Sequence, residues 1–193
     1  MDNAALCRSL ARALIDDPFY RAVSDAARDE EHRVELLARY MAPSLVESEA
    51  VGEVQRAGDM AAALWQLPEA GPEASGRAAK AKKATFLREV GPECLSAYEA
   101  VCAEMVARTP EALAEAWYLS ILGTAPEARG QGLAAGLLAR TLARADAARA
   151  VSYLETFNPL SLPFYTRMGF TEATALHEPV TGRDYWLLVR PAR

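Results

Sequence analysis

Apolar side chains recur at three- and four-residue spacing across residues 4–15 and again across residues 18–41, with charged positions between them. That period gathers the apolar groups on one face, so each segment is expected to fold as an amphipathic helix. Pro43 lacks the N–H that a helix interior needs and is expected to stop the second helix. Beyond it the pattern changes. Residues 51–57 and 60–67 read as two strands about a Gly58-Asp59 turn, a hairpin ending at Pro68. Residues 69–83 are rich in Gly, Ala, Pro and Lys and begin without apolar periodicity, which predicts a mobile loop leading into a helix, its lysines in water. Residues 95–113 return to helical spacing, broken near Thr109-Pro110, where the proline opens a new turn.

From residue 116 the pattern sharpens. An apolar run at 116–122 reads as a buried strand. A helix over 132–148 puts Leu133, Leu137, Leu138 and Leu142 on one face, and 151–156 is the next strand. Two strands joined through a helix are expected to lie parallel with a right-handed crossover. Ligands of such sheets sit at the carboxyl ends of the strands, where residues 123–129 and 155–158 then meet. A short helix over 159–168 ends at Gly169, and strands at 170–176 and 185–190 are joined through Thr181-Gly182.

Length and charge narrow the function. The 193 residues suit a single domain with an ample core, 69–110 being a variable helical and loop segment within it. A formal net charge of -5 argues against nucleic acid as the main partner, since phosphate backbones attract basic surfaces, and favours a small or cationic one. Cys7, Cys94 and Cys102 form no C-x-x-C pair and leave an odd number, so reduced, buried thiols are expected rather than a zinc site or a disulfide framework. The first residues lack a basic and apolar leader pattern, and no run of about eighteen apolar residues occurs, so a cytoplasmic protein is expected, with no membrane partner.

The chemistry concentrates in Arg129-Gly130-Gln131-Gly132-Leu133-Ala134. Two glycines let the main chain approach an anion closely, and the free N–H groups of the first helical turn point at it, which is the arrangement that holds a phosphate. Gly130-x-Gly132-x-x-Ala135 also satisfies the dinucleotide fingerprint, and Glu155 lies at about the distance of a ribose-binding acid. Against that reading, residues 123–129 separate strand from glycines, and only about sixty residues remain for further strand and helix units. A nucleotide-hydrolysing P-loop is disfavoured because no Gly-Lys-Ser/Thr follows.

Taken as a set, Pro126-Glu127-x-Arg129-Gly130-x-Gly132-Leu133-Ala134, then Asn158, then Phe164-Tyr165-x-x-Met168-Gly169-Phe170 resembles the GCN5-related N-acetyltransferase (GNAT) superfamily. The first block is similar to its acetyl-CoA motif [Q/R]-x-x-G-x-[G/A], the second to the Asn-x6-Tyr-x3-Gly-Phe ending of its cofactor site. Trp65-x-x-Pro68-Glu69, Trp117-Tyr118-Leu119, Leu154-Glu155-Thr156 and Leu162-Pro163-Phe164-Tyr165 bring puromycin N-acetyltransferase-like members closest. The resemblance implies an α/β fold with a mixed, mostly antiparallel central sheet, a splayed parallel strand pair and flanking helices.

It also implies roles. Acetyl-CoA would lay its pyrophosphate over Arg129 to Ala134, including Gly130, Gln131, Gly132 and Leu133. Its pantetheine would bond the backbone at Leu122 and Thr124, with Asn158 on the same arm or merely capping the next helix. Gly123 is expected either to bulge the strand or to end it. Tyr165 is the expected acid for the departing thiolate, since a phenol keeps its proton at neutral pH. Glu155 is expected to take the ammonium proton or to orient the amine, and a backbone N–H near Leu122 to meet the oxyanion. Trp65, Tyr118, Phe157 and Trp186 could line an acceptor pocket or fill a core. His32 and His177 lie in no catalytic constellation and are expected to be structural or solvated. The leading function is direct acetyl transfer to the amine of a small molecule, without metal. The alternative is a CoA-binding or sensing module without turnover. The acceptor's identity and dimerisation stay open.

Overall fold

A computed structural model describes residues 3–193; Met1 and Asp2, which begin the segment read as lacking a leader, lie outside the described residues. The chain opens with helices α1 (Asn3–Leu14), α2 (Pro18–Val23) and α3 (Glu30–Val51), then the hairpin β1 (Gly52–Ala57) and β2 (Ala61–Gln66), then helices α4 (Gly71–Val90) and α5 (Pro92–Arg108). It continues through β3 (Trp117–Thr124), α6 (Leu133–Ala148), β4 (Ser152–Thr156), α7 (Leu162–Arg167), β5 (Glu172–Glu178) and β6 (Arg183–Arg190). The six strands form one sheet in the order β1-β2-β3-β4-β6-β5, antiparallel except for β3 with β4. This is the mixed, helix-flanked sheet expected from the sequence.

The first half departs from its pattern in three places. The helix expected over 18–41 is two helices, because Asp17 and Asp29 each cap one, accepting from Phe19 N–H at 2.9 Å and from His32 N–H at 2.8 Å. Pro43 lies inside α3 and does not end it. A proline there costs about 3 kcal/mol, and burial of Leu37, Met41 and Leu45 along the same helix, at about 2 kcal/mol each, outweighs it. The stretch expected as a loop over 69–83 is helical from Gly71, where Pro72 opens a run of alanines and lysines with high helix propensity.

Alternation along β2 fills both faces of the sheet. Ala62 and Leu64 pack with α1, α3, Phe86 and Ile121; Ala61, Ala63 and Trp65 pack with Leu137, Leu138 and Leu142 of α6. β3 changes phase part-way. Trp65 pairs with Leu119 but Leu64 with Ile121, so Ser120 is the extra residue of a bulge. Leu119 therefore faces α6, while Ile121 faces α1 and α3. Gly123 is neither the bulge nor the strand end: it pairs with Ala62 inside β3, and a Cβ there would stand 2.7 Å from Leu10 Cδ2 of α1. The missing side chain is what lets α1 lie against the strand.

Candidate functional site

β3 and β4 pair over only three positions, Trp117 with Ser152, Tyr118 with Tyr153 and Leu119 with Leu154. Beyond them the bulge turns β3 away, and the two strands part. Two adjoining cavities open there, of about 650 Å³ and about 340 Å³, both within the range of small-molecule sites. Leu14, Asp17, Leu122, Thr156, Phe157 and Tyr165 belong to the walls of both.

The larger cavity gathers much of the motif. Leu122, Thr124, Arg129, Ala134, Asn158 and Tyr165 line it, together with Ala13 and Asp16 from the α1–α2 corner. Gly130, Gln131, Gly132 and Leu133 form the adjoining turn without lining it. Gly130 has φ +77° and Gly132 φ +76°, the left-handed region, and a Cβ on either would meet open space. Among the described residues the first hydrogen bond into this turn runs from Gly136 N–H to the Gly132 carbonyl, so the N–H groups ahead of it have no backbone acceptor. Arg129 donates to the Ala13 carbonyl at 3.0 Å, and Arg12 makes a two-pronged contact with Glu127 at 2.9 Å, fastening α1 to the turn. Nothing in the sequence pattern of residues 4–15 announced that service. Asn158 accepts from Leu160 N–H at 3.0 Å, so it caps the turn before α7 while also facing the cavity.

A family model for the acetyltransferase (GNAT) domain matches residues 51–173. The chain belongs to the GNAT family. In solved structures, the GNAT chain is similar to one described as an acetyltransferase, at 19% identity with 97% of this chain and 95% of that one covered and a TM-score of 0.52. It is also similar to a structure of histone acetyltransferase HPA2 and related acetyltransferase from Corynebacterium glutamicum, at 18% identity, 100% and 92% coverage and a TM-score of 0.59. At these identities the likeness carries the fold alone. GNAT acetyltransferases use acetyl-CoA as cosubstrate, and the bare N–H groups over two left-handed glycines fit a diphosphate.

The smaller cavity of this GNAT chain is aromatic and acidic. Phe19, Tyr20, Tyr40, Tyr98, Tyr118 and Tyr153 contribute rings, and Asp17, Glu47 and Glu155 contribute carboxylates. Tyr118 stacks on Tyr153 with centroids 4.7 Å apart and donates its hydroxyl hydrogen to Glu155 Oε2 at 3.0 Å. Burial pushes the Glu155 carboxyl above the usual carboxylate range, partly offset by hydrogen bonds from Tyr118 and Thr109. Glu155 lines this cavity and not the larger one. Of the aromatics singled out in the sequence, Tyr118 and Phe157 face the cavities; Trp65 is wholly buried in the core, and Trp186 packs against it from the sheet.

Lys82 corrects the expectation of solvated lysines. It is 6% exposed, its ammonium donates to Glu47 Oε2 at 2.9 Å, and it stands 5.3 Å and 5.2 Å from the ring centres of Tyr40 and Tyr98. Burial pulls its pKa down, but Tyr40, Tyr98 and Glu47 more than reverse this, and the group stays charged at neutral pH. Tyr165 is buried against Phe164 and Phe170, with ring centres 5.2 Å and 5.9 Å away. Burial, reinforced by the Asp17 carboxylate, holds its phenol well above the ordinary range. Cys7 and Cys94 are buried, and Cys102 is half-buried on the chamber wall. His177 pairs with Asp184 on the outer strands at 2.8 Å, and His32 sits at the α3 N-terminus, both away from the cavities. Among the described residues no helix is long and apolar enough to cross a membrane.

Proposed function

We propose that the protein transfers an acetyl group from acetyl-CoA directly to the amine of a small molecule. One observation carries this reading: a cavity bordered by the glycine turn shares a wall with an aromatic, carboxylate-bearing chamber of about 340 Å³. A chamber of that size suits a compact body with a cationic head rather than a stretch of polypeptide. The sequence blocks that resemble those of puromycin N-acetyltransferase-like enzymes, which include Glu155 and Tyr165, support the same class. We further propose that residues 1–193 act as one domain. Its 69–110 segment is the acceptor side, consistent with Lys82, Tyr98 and Cys102 on the chamber wall.

In this reading Gly130 to Ala134 bind the diphosphate through main-chain donors, with Arg129 beside them. Leu122 and Thr124 offer backbone groups to the pantetheine, and Asn158 flanks the same arm. A backbone N–H near Leu122 meets the developing oxyanion. Tyr165 gives its proton to the departing sulfur. Glu155, held by Tyr118 inside the chamber, draws the ammonium inward and fixes the acceptor's orientation. Neither motif offers a nucleophile, and burial pushes the Cys102 thiol on the chamber wall up to about 11, so it stays protonated at neutral pH.

A panel of primary amines with acetyl-CoA, followed by release of free thiol, tests the class. Amine-dependent release is expected; release that is absent for every amine while acetyl-CoA binds would leave the sensing module as the better reading. Gly132→Val is expected to weaken acetyl-CoA binding about a hundredfold, measured by calorimetry. Valine is strained at φ +76°, and turning two N–H donors away from charged oxygens forfeits about 1.5 kcal/mol each.

A further inference from the structure

Six residues belong to both cavities, and of these only Asp17 and Tyr165 carry an ionisable group. The position between the two cavities is where a thioester reaching from one side meets an amine entering from the other. Tyr165 supplies the proton donor there. A base is needed at the same place, because an amine enters as an ammonium and attacks only after losing a proton. Glu155 faces the chamber alone. Asp17 stands at the corner between α1 and α2, and one of its oxygens accepts the Phe19 N–H at 2.9 Å, which fixes the carboxylate. Among the described residues no cation pairs with it.

We infer that Asp17 is the carboxylate that receives the acceptor's ammonium at the junction of the two cavities and takes its proton. This rests on the acetyltransfer reading proposed above and adds to it a second carboxylate with a separate task. The N–H bond of the ammonium breaks and an O–H forms on Asp17. The freed lone pair makes the C–N bond to the acetyl carbon, and the C–S bond breaks with its electrons on sulfur, which takes the Tyr165 proton. The nitrogen sheds its next proton to the tyrosinate as the amide forms, and Asp17 releases the first to solvent. An ammonium and an acetyl thioester thus give an amide, a thiol and one proton.

The environment suits the task. Burial pushes the Asp17 carboxyl up to about 6, partly offset by the backbone N–H groups of Phe19 and Tyr20, so it is ionised at pH 7 yet basic enough to hold a proton in passing. The titratable groups that meet it are Tyr20 on α2 and Tyr165 on α7, both held protonated by burial. Asp16 and Arg129 lie on the cofactor side; Glu155 and the Glu47–Lys82 pair line the chamber beyond. A cap alone has no need of a carboxylate, since an asparagine or serine side chain accepts the same N–H.

Asp17→Asn is therefore the informative variant, with Asp17→Ser as a second residue that caps without a charge. Both are expected to bind acetyl-CoA as the wild type does and to lose about a hundredfold or more in kcat/KM for the amine. The wild-type kcat/KM should climb as pH rises through about 6, as Asp17 ionises, and that climb should vanish in both variants. Because the folded-state pKa lies above the unfolded one, this group's contribution to stability falls as pH rises from about 4 to about 6. Asp17→Asn should therefore melt no lower than wild type at pH 8. Glu155→Gln should raise KM and keep the climb. Wild-type rates in either Asp17 variant, or a residual rate that still climbs through pH 6, overturn the assignment and leave the acetyltransfer reading standing. Absence of amine-dependent thiol release from the wild type removes that reading itself.

Discussion

Tyr165→Phe is expected to lower kcat by about a hundred- to ten-thousand-fold, the range supplied by a positioned general acid, while leaving acetyl-CoA affinity unchanged. The substitution removes one oxygen and keeps the ring. Phe164 and Phe170 still pack edge-on with it, so the wall between the cavities stays in place. No group among the described residues hydrogen-bonds the hydroxyl, so its removal orphans nothing. Burial and the nearby Asp17 carboxylate both favour the protonated phenol, and the proton is on hand across the whole neutral range. Single-turnover thiol release beside calorimetry separates the two quantities. A sensing module would show the same heat for both proteins and no turnover to lose; an enzyme in which the variant turns over at the wild-type rate would remove Tyr165 from the acid role.

The parts of this site that lay open in the sequence are those made by short-range rules. Glycines at 130 and 132 followed by an apolar three-and-four spacing mark a turn into a helix, and the β3-α6-β4 unit follows from its periods. Asp29 followed by Glu30 and Glu31 spells a second N-cap just as plainly, and reading 18–41 as one helix let periodicity override that capping signal. The bulge was illegible for a different reason. Ser120 interrupts the alternation of β3 by one residue inside a run apolar on both faces, so nothing in the composition shows which position is extra. The chamber was harder still, because its walls come from α1, α2, α3, α4, α5, α7, β2, β3 and β4, and their convergence is a property of the packed elements rather than of any segment. Lys82 sits in a run of alanines and lysines that has the composition of a solvated face; only Glu47 on α3 and the tyrosines on α3 and α5 turn it inward.

Lys82→Met is expected to destabilise the fold by about 3–5 kcal/mol, the cost of leaving a buried charge without its partner. Glu47 is 7% exposed, so its carboxylate would face a methionine thioether and two phenols with no counter-charge. For a chain of this length that loss corresponds to a fall in Tm of roughly 6–20 °C at pH 7. The sign with pH follows from the lysine. Its pKa in the fold lies above the unfolded value, so the stabilisation is fully present below the unfolded pKa near 10.5 and is lost only as pH rises through the higher folded value. Lys82 itself should therefore add no pH dependence to the wild-type Tm from pH 6 to 9. Replacing both partners, Lys82→Met with Glu47→Leu, should recover most of the loss, because matched apolar groups substitute for a buried ion pair at little cost or even a gain. The double variant then isolates function from folding: the chamber keeps its shape but loses a charged wall, and KM for the amine is expected to change while acetyl-CoA affinity does not. Equal melting of the single and double variants would mean that Glu47 finds water when Lys82 is gone, and that the pair is not sealed from solvent as its exposure implies.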